Sequence, residues 1–229
     1  MSPTRFPSGI STVAKGKPLG MYGAPDPTQF HTYFNDFDVY TAGDWTVTAT
    51  SAGAGTSTPA IADADGGILR VTTAANENDG LFLEAQAESW LIESGKKSWI
   101  KARFSVGDAI ESDLIIGLHS TDTTPLDATM RMAFISDDGS AALYFNVDDN
   151  TTDADSATVA TLADDVAVVV AAYYDGKTTI ELFLNDVHVG SMTDVGIPGA
   201  EMAVGLGYLN GAVGAETADF DYILVAKER

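Results

Sequence analysis

The chain has 229 residues, no cysteine, and 33 acidic against 12 basic side chains, so its formal net charge is −21. The lack of cysteine excludes disulfides and thiolate zinc sites. The negative charge argues against nucleic acid as a partner, because phosphate binding is driven by lysine and arginine. The longest apolar run, residues 166–174, is far shorter than the roughly 20 residues that a membrane helix needs, so no membrane span is expected.

The first 30 residues differ from the rest in charge and in backbone chemistry. Arg5, Lys15 and Lys17 precede the first acidic residue, Asp26, and five of the eight prolines lie within the first 27 positions. Each proline fixes its φ angle and removes a hydrogen-bond donor, so neither a helix nor a central strand can run through this stretch. The sequence therefore predicts an extended N-terminal arm over residues 1–30.

The arm also carries apolar side chains at irregular intervals, which distinguishes it from a passive polar linker. Such side chains need a surface that buries them. One interpretation is a terminal segment that wraps its own domain. The favoured interpretation is an arm that docks on a partner or neighbouring subunit, with its cations facing acidic groups there. The predicted partner-binding residues are Arg5, Phe6, Ile10, Val13, Lys15, Lys17, Met21 and Tyr22.

A single domain is predicted over residues 31–229. From His31 onward, short alternating or β-branched segments are separated by Gly, Asp and Asn. This pattern predicts an all-β, antiparallel β-sandwich, with residues 51–58 and 148–155 as surface loops and only residues 83–93 as a short helix. The predicted strands span residues 33–40, 45–51, 68–73, 81–87, 98–106, 114–120, 131–136, 141–147, 166–174, 178–185, 187–192, 201–209 and 218–226.

Several segments of this domain resemble the concanavalin A-like jelly roll of lectins and glucanases. The segment YYDGKTTIELFLNDVHVGSM (residues 173–192) is similar to the penultimate hairpin of that fold. FNDFDVY (residues 34–40) and ADFDYILVAKER (residues 218–229) are similar to its opening and closing strands. More specifically, SDLIIGLHSTDTTPLDATMRMAFISDDGSAALYFNV (residues 112–147) resembles a segment of tailed-phage virion proteins that carry this jelly roll behind an N-terminal arm.

The resemblance implies a structural virion protein of a tailed bacteriophage, made in the host cytoplasm without a signal peptide. It would lie on the capsid exterior as a decoration or cement protein. The implied partners are the major capsid protein or neighbouring virion subunits, and a homo-oligomer is expected, with a trimer favoured. The alternative is a carbohydrate-binding, lectin-like module that adheres to host-surface glycans, because this sandwich carries lectins and glycosidases as well as structural domains.

The sequence lacks the pattern that glycoside hydrolysis on this fold would require. Retaining glycosidases of the fold supply their carboxylates from one strand as Glu-x-Asp-x-x-Glu, and no such spacing occurs here. Glu84 and Glu88 come nearest, but the aspartate between them is missing. His31, His119 and His188 lie in different segments, so each is expected to be a strand or edge residue rather than a metal ligand or general base. No enzyme is therefore predicted.

No cofactor is predicted, although structural calcium stays open. Residues 63–66, residues 137–139 and the acidic residues within 148–155 offer oxygen ligands, but none of these loops continues into the EF-hand pattern. Solvated acidic loops are the favoured interpretation. Core packing, rather than stacking on sugar, is predicted for Trp45, Trp90 and Trp99.

Overall fold

A computed structural model describes residues 28–64, 66–150, 155–193 and 195–229, and these residues form fifteen strands. Two 3-10 helices lie at Ala42–Asp44 and Pro125–Asp127. The strands are β1 (Phe30–Asn35), β2 (Trp45–Thr50), β3 (Thr58–Ala62), β4 (Ile68–Thr72), β5 (Gly80–Ala85), β6 (Ser98–Val106), β7 (Ser112–His119), β8 (Met130–Ser136), β9 (Ala142–Asp149), β10 (Asp155–Thr161), β11 (Val168–Tyr174), β12 (Thr179–Leu184), β13 (Val187–Thr193), β14 (Ala203–Asn210) and β15 (Thr217–Glu228).

The strands form two antiparallel sheets with one continuous apolar core between them. The seven-stranded sheet has the order β10-β9-β8-β7-β14-β5-β2. The eight-stranded sheet has the order β13-β12-β11-β6-β15-β4-β3, and β1 pairs with the second half of β15. The architecture is therefore a β-sandwich, as the sequence predicts.

Burial along the strands shows which faces meet the core. Every second residue of β6 is buried, and β11 shows the same alternation, which is typical of strands with one face on the core. In contrast, β14 is buried at all eight positions and β5 at five of six. Both faces of β14 and β5 are therefore buried, so other residues must cover the outer face of the seven-stranded sheet at its centre. These covering residues are described with the candidate site.

The thirteen predicted strands all correspond to strands of the structure, with one clear shift. The first was predicted over residues 33–40, but β1 ends at Asn35, because Phe37 adopts a φ of 52° and its side chain is fully buried. The predicted short helix over residues 83–93 is wrong. Residues up to Ala85 belong to β5, and Trp90 forms an isolated antiparallel bridge with Met202.

The sequence pattern does not predict two of the fifteen strands, and both are edge strands. β3 contains Pro59, which an edge strand tolerates because one side of its backbone needs no ladder donor. β10 consists mostly of small polar residues and closes the other sheet. The loop predicted over residues 148–155 is consequently shorter, since β9 runs to Asp149 and β10 begins at Asp155.

The tryptophans divide between the core and the surface. Trp45 and Trp90 are buried, as predicted. Trp99 is only half-buried, so its prediction as a core residue is wrong. Its position in β6 alternates with the buried Ser98 and Ile100, so the strand directs its ring to the outer face of the eight-stranded sheet.

Candidate functional site

The predicted partner-binding residues of the arm lie outside the described residues, so their role stays a prediction. These residues are Arg5, Phe6, Ile10, Val13, Lys15, Lys17, Met21 and Tyr22. The described part of the chain starts at Thr28, and Phe30 already belongs to β1. The arm therefore joins a hydrogen-bonded strand of the sandwich within a few residues.

A groove of about 760 Å³ lies on the outer face of the seven-stranded sheet, where β7, β8, β9 and β10 run side by side. Four of its lining residues, Asp113, Arg131, Tyr144 and Asn146, project from the strands because they alternate with core-facing neighbours. The loop between β7 and β8 supplies one wall. The lining residues are Asp113, Leu126, Asp127, Arg131, Ile135, Asp137, Tyr144, Asn146 and Ser156.

Arg131 sits in the groove, but its guanidinium is engaged with the protein. Nε donates to Oδ1 of Asn146 at 2.5 Å, and Nη1 donates to the carbonyl oxygen of Leu126 at 2.7 Å. Nη2 lies 3.8 Å from a carboxylate oxygen of Asp148. The side chain thus ties the loop after β7 to β9, and these bonds occupy donors that a ligand would otherwise use.

Asp113 is the groove residue with the most perturbed acidity. Burial raises its pKa to about 6, and the negative charges of Asp138 and Asp137 act in the same direction. The backbone N–H of Asp138 donates to Oδ1 of Asp113 at 2.8 Å, which opposes that shift. This carboxyl group therefore changes its protonation near neutral pH, where an ordinary aspartate stays ionised.

Glu84 and His119 form a buried pair beside the groove, at the centre of the same face. Each side chain is 1% exposed, and His119 Nδ1 lies 3.6 Å from Oε1 of Glu84. His119 Nδ1 also lies 3.0 Å from the carbonyl oxygen of Ser120, whereas Nε2 has no hydrogen-bond partner within the described part of the chain. Burial raises the pKa of Glu84 and lowers the pKa of His119.

Two glycines of β14 leave space for side chains that lie across the outer face of this strand. A Cβ atom on Gly205 would overlap the His119 ring, and one on Gly207 would overlap the Phe82 ring. β14 lies between β7 and β5, so the two rings fold over it from opposite neighbours. The alternating glycines are a sequence signal that could have indicated side chains lying across this strand.

The loop after β7, residues 120–129, folds back over the pair. The backbone N–H of Asp122 donates to Oε1 of Glu84 at 3.0 Å. Thr121 donates to Oε1 of Glu88 through its backbone N–H at 2.6 Å and through its hydroxyl at 2.8 Å. Glu84 and Glu88, the nearest approach to a catalytic pair in the sequence, are therefore both anchors of a loop.

The other two histidines occupy surface positions. The His31 ring stacks on Trp90, with ring centroids 4.1 Å apart and an interplanar angle of 1°. This stack lines a smaller pocket of about 350 Å³ between β1 and the segment after β5. His188 Nε2 lies 2.6 Å from Oε2 of Glu181, in an exposed pair on the eight-stranded sheet. The three histidines lie apart from one another, as their separation in sequence suggests.

Within residues 28–64, 66–150, 155–193 and 195–229, no three His, Asp or Glu side chains are placed to hold a metal ion. Asp65 and Asp153, two of the residues considered for calcium, lie outside those ranges. No helix in the described part of the chain has the length and apolarity to cross a bilayer.

The outer face of the eight-stranded sheet carries a row of half-buried aromatic rings that the sequence pattern does not predict. Phe30 and Trp99 meet edge to face, with centroids 5.7 Å apart, and Trp99 and Tyr173 are tilted by 37° at 5.3 Å. The row crosses β1, β6 and β11 near one end of the sandwich. These rings form a second candidate surface.

Comparison with solved structures identifies the fold. A protein of unknown function from Shewanella oneidensis MR-1 superposes with a TM-score of 0.60 at 11% identity, over 87% of each chain. The carbohydrate recognition domain of Emp47p gives 0.56 at 11% identity, over 88% of this chain and 98% of that domain. The endo-β-1,4-glucuronan lyase of Trichoderma reesei gives 0.54 at 11% identity, over 84% and 94%.

These matches show a concanavalin A-like jelly roll, the fold of lectin-like domains and of at least one lyase. At such identities they show the fold alone, because one scaffold hosts unrelated functions. No protein-family model and no curated protein matches the sequence.

Proposed function

We propose that this chain is a structural virion protein of a tailed bacteriophage, a capsid decoration or cement protein that anchors through residues 1–30. The proposal rests first on the resemblance of residues 112–147 to such virion proteins. Its partners are the major capsid protein or neighbouring virion subunits, and it assembles as a homo-oligomer, with a trimer favoured. It is made in the host cytoplasm and lies on the capsid exterior.

The observation that carries the proposal is that the residues directly after the predicted arm already form a strand of the sandwich. β1 begins at Phe30 and pairs over its whole length with β15, from Phe30 opposite Glu228 to Asn35 opposite Ile223. A force applied at Phe30 would therefore reach β15 through the backbone hydrogen bonds of β1, which lies at the edge of this sheet. A flexible connection would separate anchor from body, whereas this attachment suits an arm that bears load.

Side chains and a loop cover the outer face of the seven-stranded sheet at its centre, which supports a non-enzymatic role. His119 and Phe82 occupy the space above β14, and Glu84 is committed to the loop over residues 120–129. The carboxylates that could do acid–base chemistry here are thus buried or bonded to backbone. A substrate would have to displace this loop before reaching them.

The charge of the body fits a protein exposed on the outside of a particle. Residues 18–229 hold nine basic and 33 acidic side chains. Neighbouring copies that present such surfaces repel one another except where specific contacts form, which favours spaced, soluble decoration over aggregation.

The proposal is tested by the composition of purified particles of the phage that encodes the chain. We expect the protein at a fixed copy number per capsid, measured by quantitative mass spectrometry. Particles made with a variant that lacks residues 1–27 should contain none, while the shortened protein keeps the β-sheet circular dichroism and melting transition of the full chain. Normal incorporation of that variant would refute anchoring by the arm.

A second candidate is a carbohydrate-binding module that adheres to host-surface glycans, and the groove on β7 to β10 favours it. Asp113 and Tyr144 line this groove with a carboxylate and a hydroxyl group, both of which can hydrogen-bond sugars. A glycan array probed with the purified protein tests this candidate. Binding that is lost in Tyr144→Ala would support it, and an array without signal would remove it.

A further inference from the structure

The basic residues of the folded body are concentrated at one end of the sandwich. Five of the nine basic residues after Lys17 lie where β1 and β6 begin and β11 and β15 end. With the three of the arm, they make eight of the twelve in the chain. We call this region the basic end; its cations are Lys96, Lys97, Lys177, Lys227 and Arg229.

Backbone contacts place these residues together. Lys97 and Glu228 exchange hydrogen bonds, since the Lys97 N–H donates to Oε2 of Glu228 and the Glu228 N–H donates to the Lys97 carbonyl, each at 2.9 Å. Gly176, next to Lys177, packs against the backbone of Lys96. Arg229 donates from its backbone N–H to the carbonyl of Gln29 at 3.0 Å, so the arm leaves the body at this same end.

The acidic residues at the basic end make specific contacts there, whereas two of its lysines form no ion pair in the described part of the chain. Glu93 pairs with Lys96, and Asp175 accepts the backbone N–H of Lys177 at 2.7 Å. Lys97 and Lys177 are exposed and form no ion pair within the described residues.

The other four basic residues of the body behave differently. Each lies within 4 Å of an aspartate carboxylate: Arg70 with Asp219, Lys101 with Asp186, Arg103 with Asp221, and Arg131 with Asp148. Carboxylates of the body itself therefore balance the positive charges of these four side chains. Within the described residues, the lysines that form no ion pair therefore lie at the basic end, on a body whose overall charge is negative.

The aromatic row lies immediately beside these cations. Trp99 follows Lys97 by two residues, and Tyr173 lies two residues before the turn that contains Asp175 and Lys177. Phe30 is at the end of the arm. Half-exposed Trp and Tyr next to cations is the composition of protein-binding hot spots, where aromatic area supplies affinity and charge supplies orientation.

We infer that the basic end, together with the row Phe30, Trp99 and Tyr173, is the surface by which the folded body docks onto an acidic protein surface of the particle shell. This inference rests on the proposed function and specifies which face of the sandwich meets the shell. The arm and the docking surface then act as two linked contacts, so each raises the effective concentration of the other. The acidic faces point away from the shell.

The geometry of the rings favours a protein over an acidic glycan. The planes of Phe30 and Trp99 are 69° apart and those of Trp99 and Tyr173 are 37° apart. A polysaccharide that stacks along several rings needs them nearly coplanar, whereas the side chains of a protein fill angled surfaces. The arm that precedes the row also carries apolar residues, which a protein surface can bury and a glycan cannot.

The test compares two double variants of equal net charge in the full-length protein. Lys97→Gln with Lys177→Gln removes two charges from the basic end, and Thr50→Glu with Thr56→Glu adds two negative charges at exposed positions outside it. Binding is measured to phage particles assembled without the protein. We expect the first variant to bind about tenfold more weakly and with a smaller salt dependence, while the second binds like wild type.

Trp99→Thr probes the aromatic row, with a melting curve as the check on folding. We expect a faster dissociation rate but an unchanged dependence of binding on salt, because the variant removes contact area and no charge. Equal binding by the Lys97 and Lys177 variant and the wild type would overturn the docking surface while leaving anchoring by the arm intact. Wild-type protein that does not bind particles at all would overturn both. Retention of the wild type, but not of the basic-end variant, on immobilised polyglucuronate without particle binding would assign the surface to an acidic glycan instead.

Discussion

His119 Nδ1 lies 3.6 Å from Glu84 Oε1 in a place where neither side chain is more than 1% exposed. The two residues are 35 positions apart in sequence and belong to β7 and β5, which flank β14. Because β14 has glycine at the facing position, the imidazole can lie across it and reach the carboxyl group. An acid and a base are thereby held out of water under one loop.

This pair predicts a pH dependence of stability that His119 itself should cause. Its folded pKa is below that of the unfolded chain, so its contribution is fully present above about pH 6.5 and is lost as the pH falls toward the folded pKa. Other charges facing it are Glu84, Glu88, Asp122 and Arg131.

We therefore expect the free energy of unfolding of His119→Leu to rise relative to that of the wild type as the pH falls from 8 to 5. Urea unfolding of both proteins at the two pH values measures the change in that difference, which cancels titrations that the two proteins share. Curves that stay parallel over the range would mean that His119 is not the group responsible.

The raised pKa of Asp113 predicts a pH dependence of stability with the opposite sign. Its folded pKa is raised to about 6, so stability is highest below the unfolded pKa and falls as the pH rises through about 6. Asp113→Asn removes this loss and keeps an oxygen for the Asp138 N–H. Because Asp113 is partly exposed, we expect the variant to be more stable than wild type by only about 1 kcal/mol at pH 7.5.

The difference between Asp113→Asn and wild type should disappear near pH 4, where the wild-type carboxyl group is protonated in the folded protein. Denaturant titrations at both pH values test this. An unchanged or lower stability of Asp113→Asn at pH 7.5 would contradict the prediction.

The sequence is most informative where one face of a strand meets the core. In β6 the strict alternation from Ser98 to Val106 is both the sequence pattern and the burial pattern, so its bounds are predicted to the residue. β3 and β10 lack that alternation because edge strands bury little, and hydrogen bonding to a neighbour rather than apolar burial defines them.

The candidate surfaces depend on contacts that topology creates, so they cannot be predicted from the sequence alone. Nothing in the spacing of Glu84 and His119 places them on either side of β14. Likewise, Phe30 and Trp99 become neighbours only because β1 and β6 pair with opposite edges of β15. The turn at Gly176 could be predicted, because its φ of 81° and the Asp175 bonds are local.

The packing of Phe82 over β14 gives a prediction about a glycine. Gly207→Ala should destabilise the protein by about 1 to 3 kcal/mol, because the new methyl group must push aside a buried ring. Gly190→Ala in β13 is the matched control, since a Cβ there meets no atom within 4 Å. Chemical denaturation of both variants checks the pair, and equal stabilities would show that the Phe82 ring moves freely.

The Tyr208 hydroxyl predicts an unusually mild result for a buried polar deletion. Tyr208 is fully buried in β14, burial raises its pKa, and its hydroxyl has no hydrogen-bond partner among the described residues. Removing a buried hydroxyl normally breaks a bond, but here Tyr208→Phe removes a group that is desolvated without compensation. We expect the variant to unfold within about 0.5 kcal/mol of wild type or to be more stable. Tyr174→Phe is the control, because the Tyr174 hydroxyl donates to the carbonyl of Lys177 at 2.8 Å, and its loss should cost about 1 kcal/mol. A larger loss for Tyr208→Phe than for Tyr174→Phe would reveal an ordered water at the Tyr208 hydroxyl.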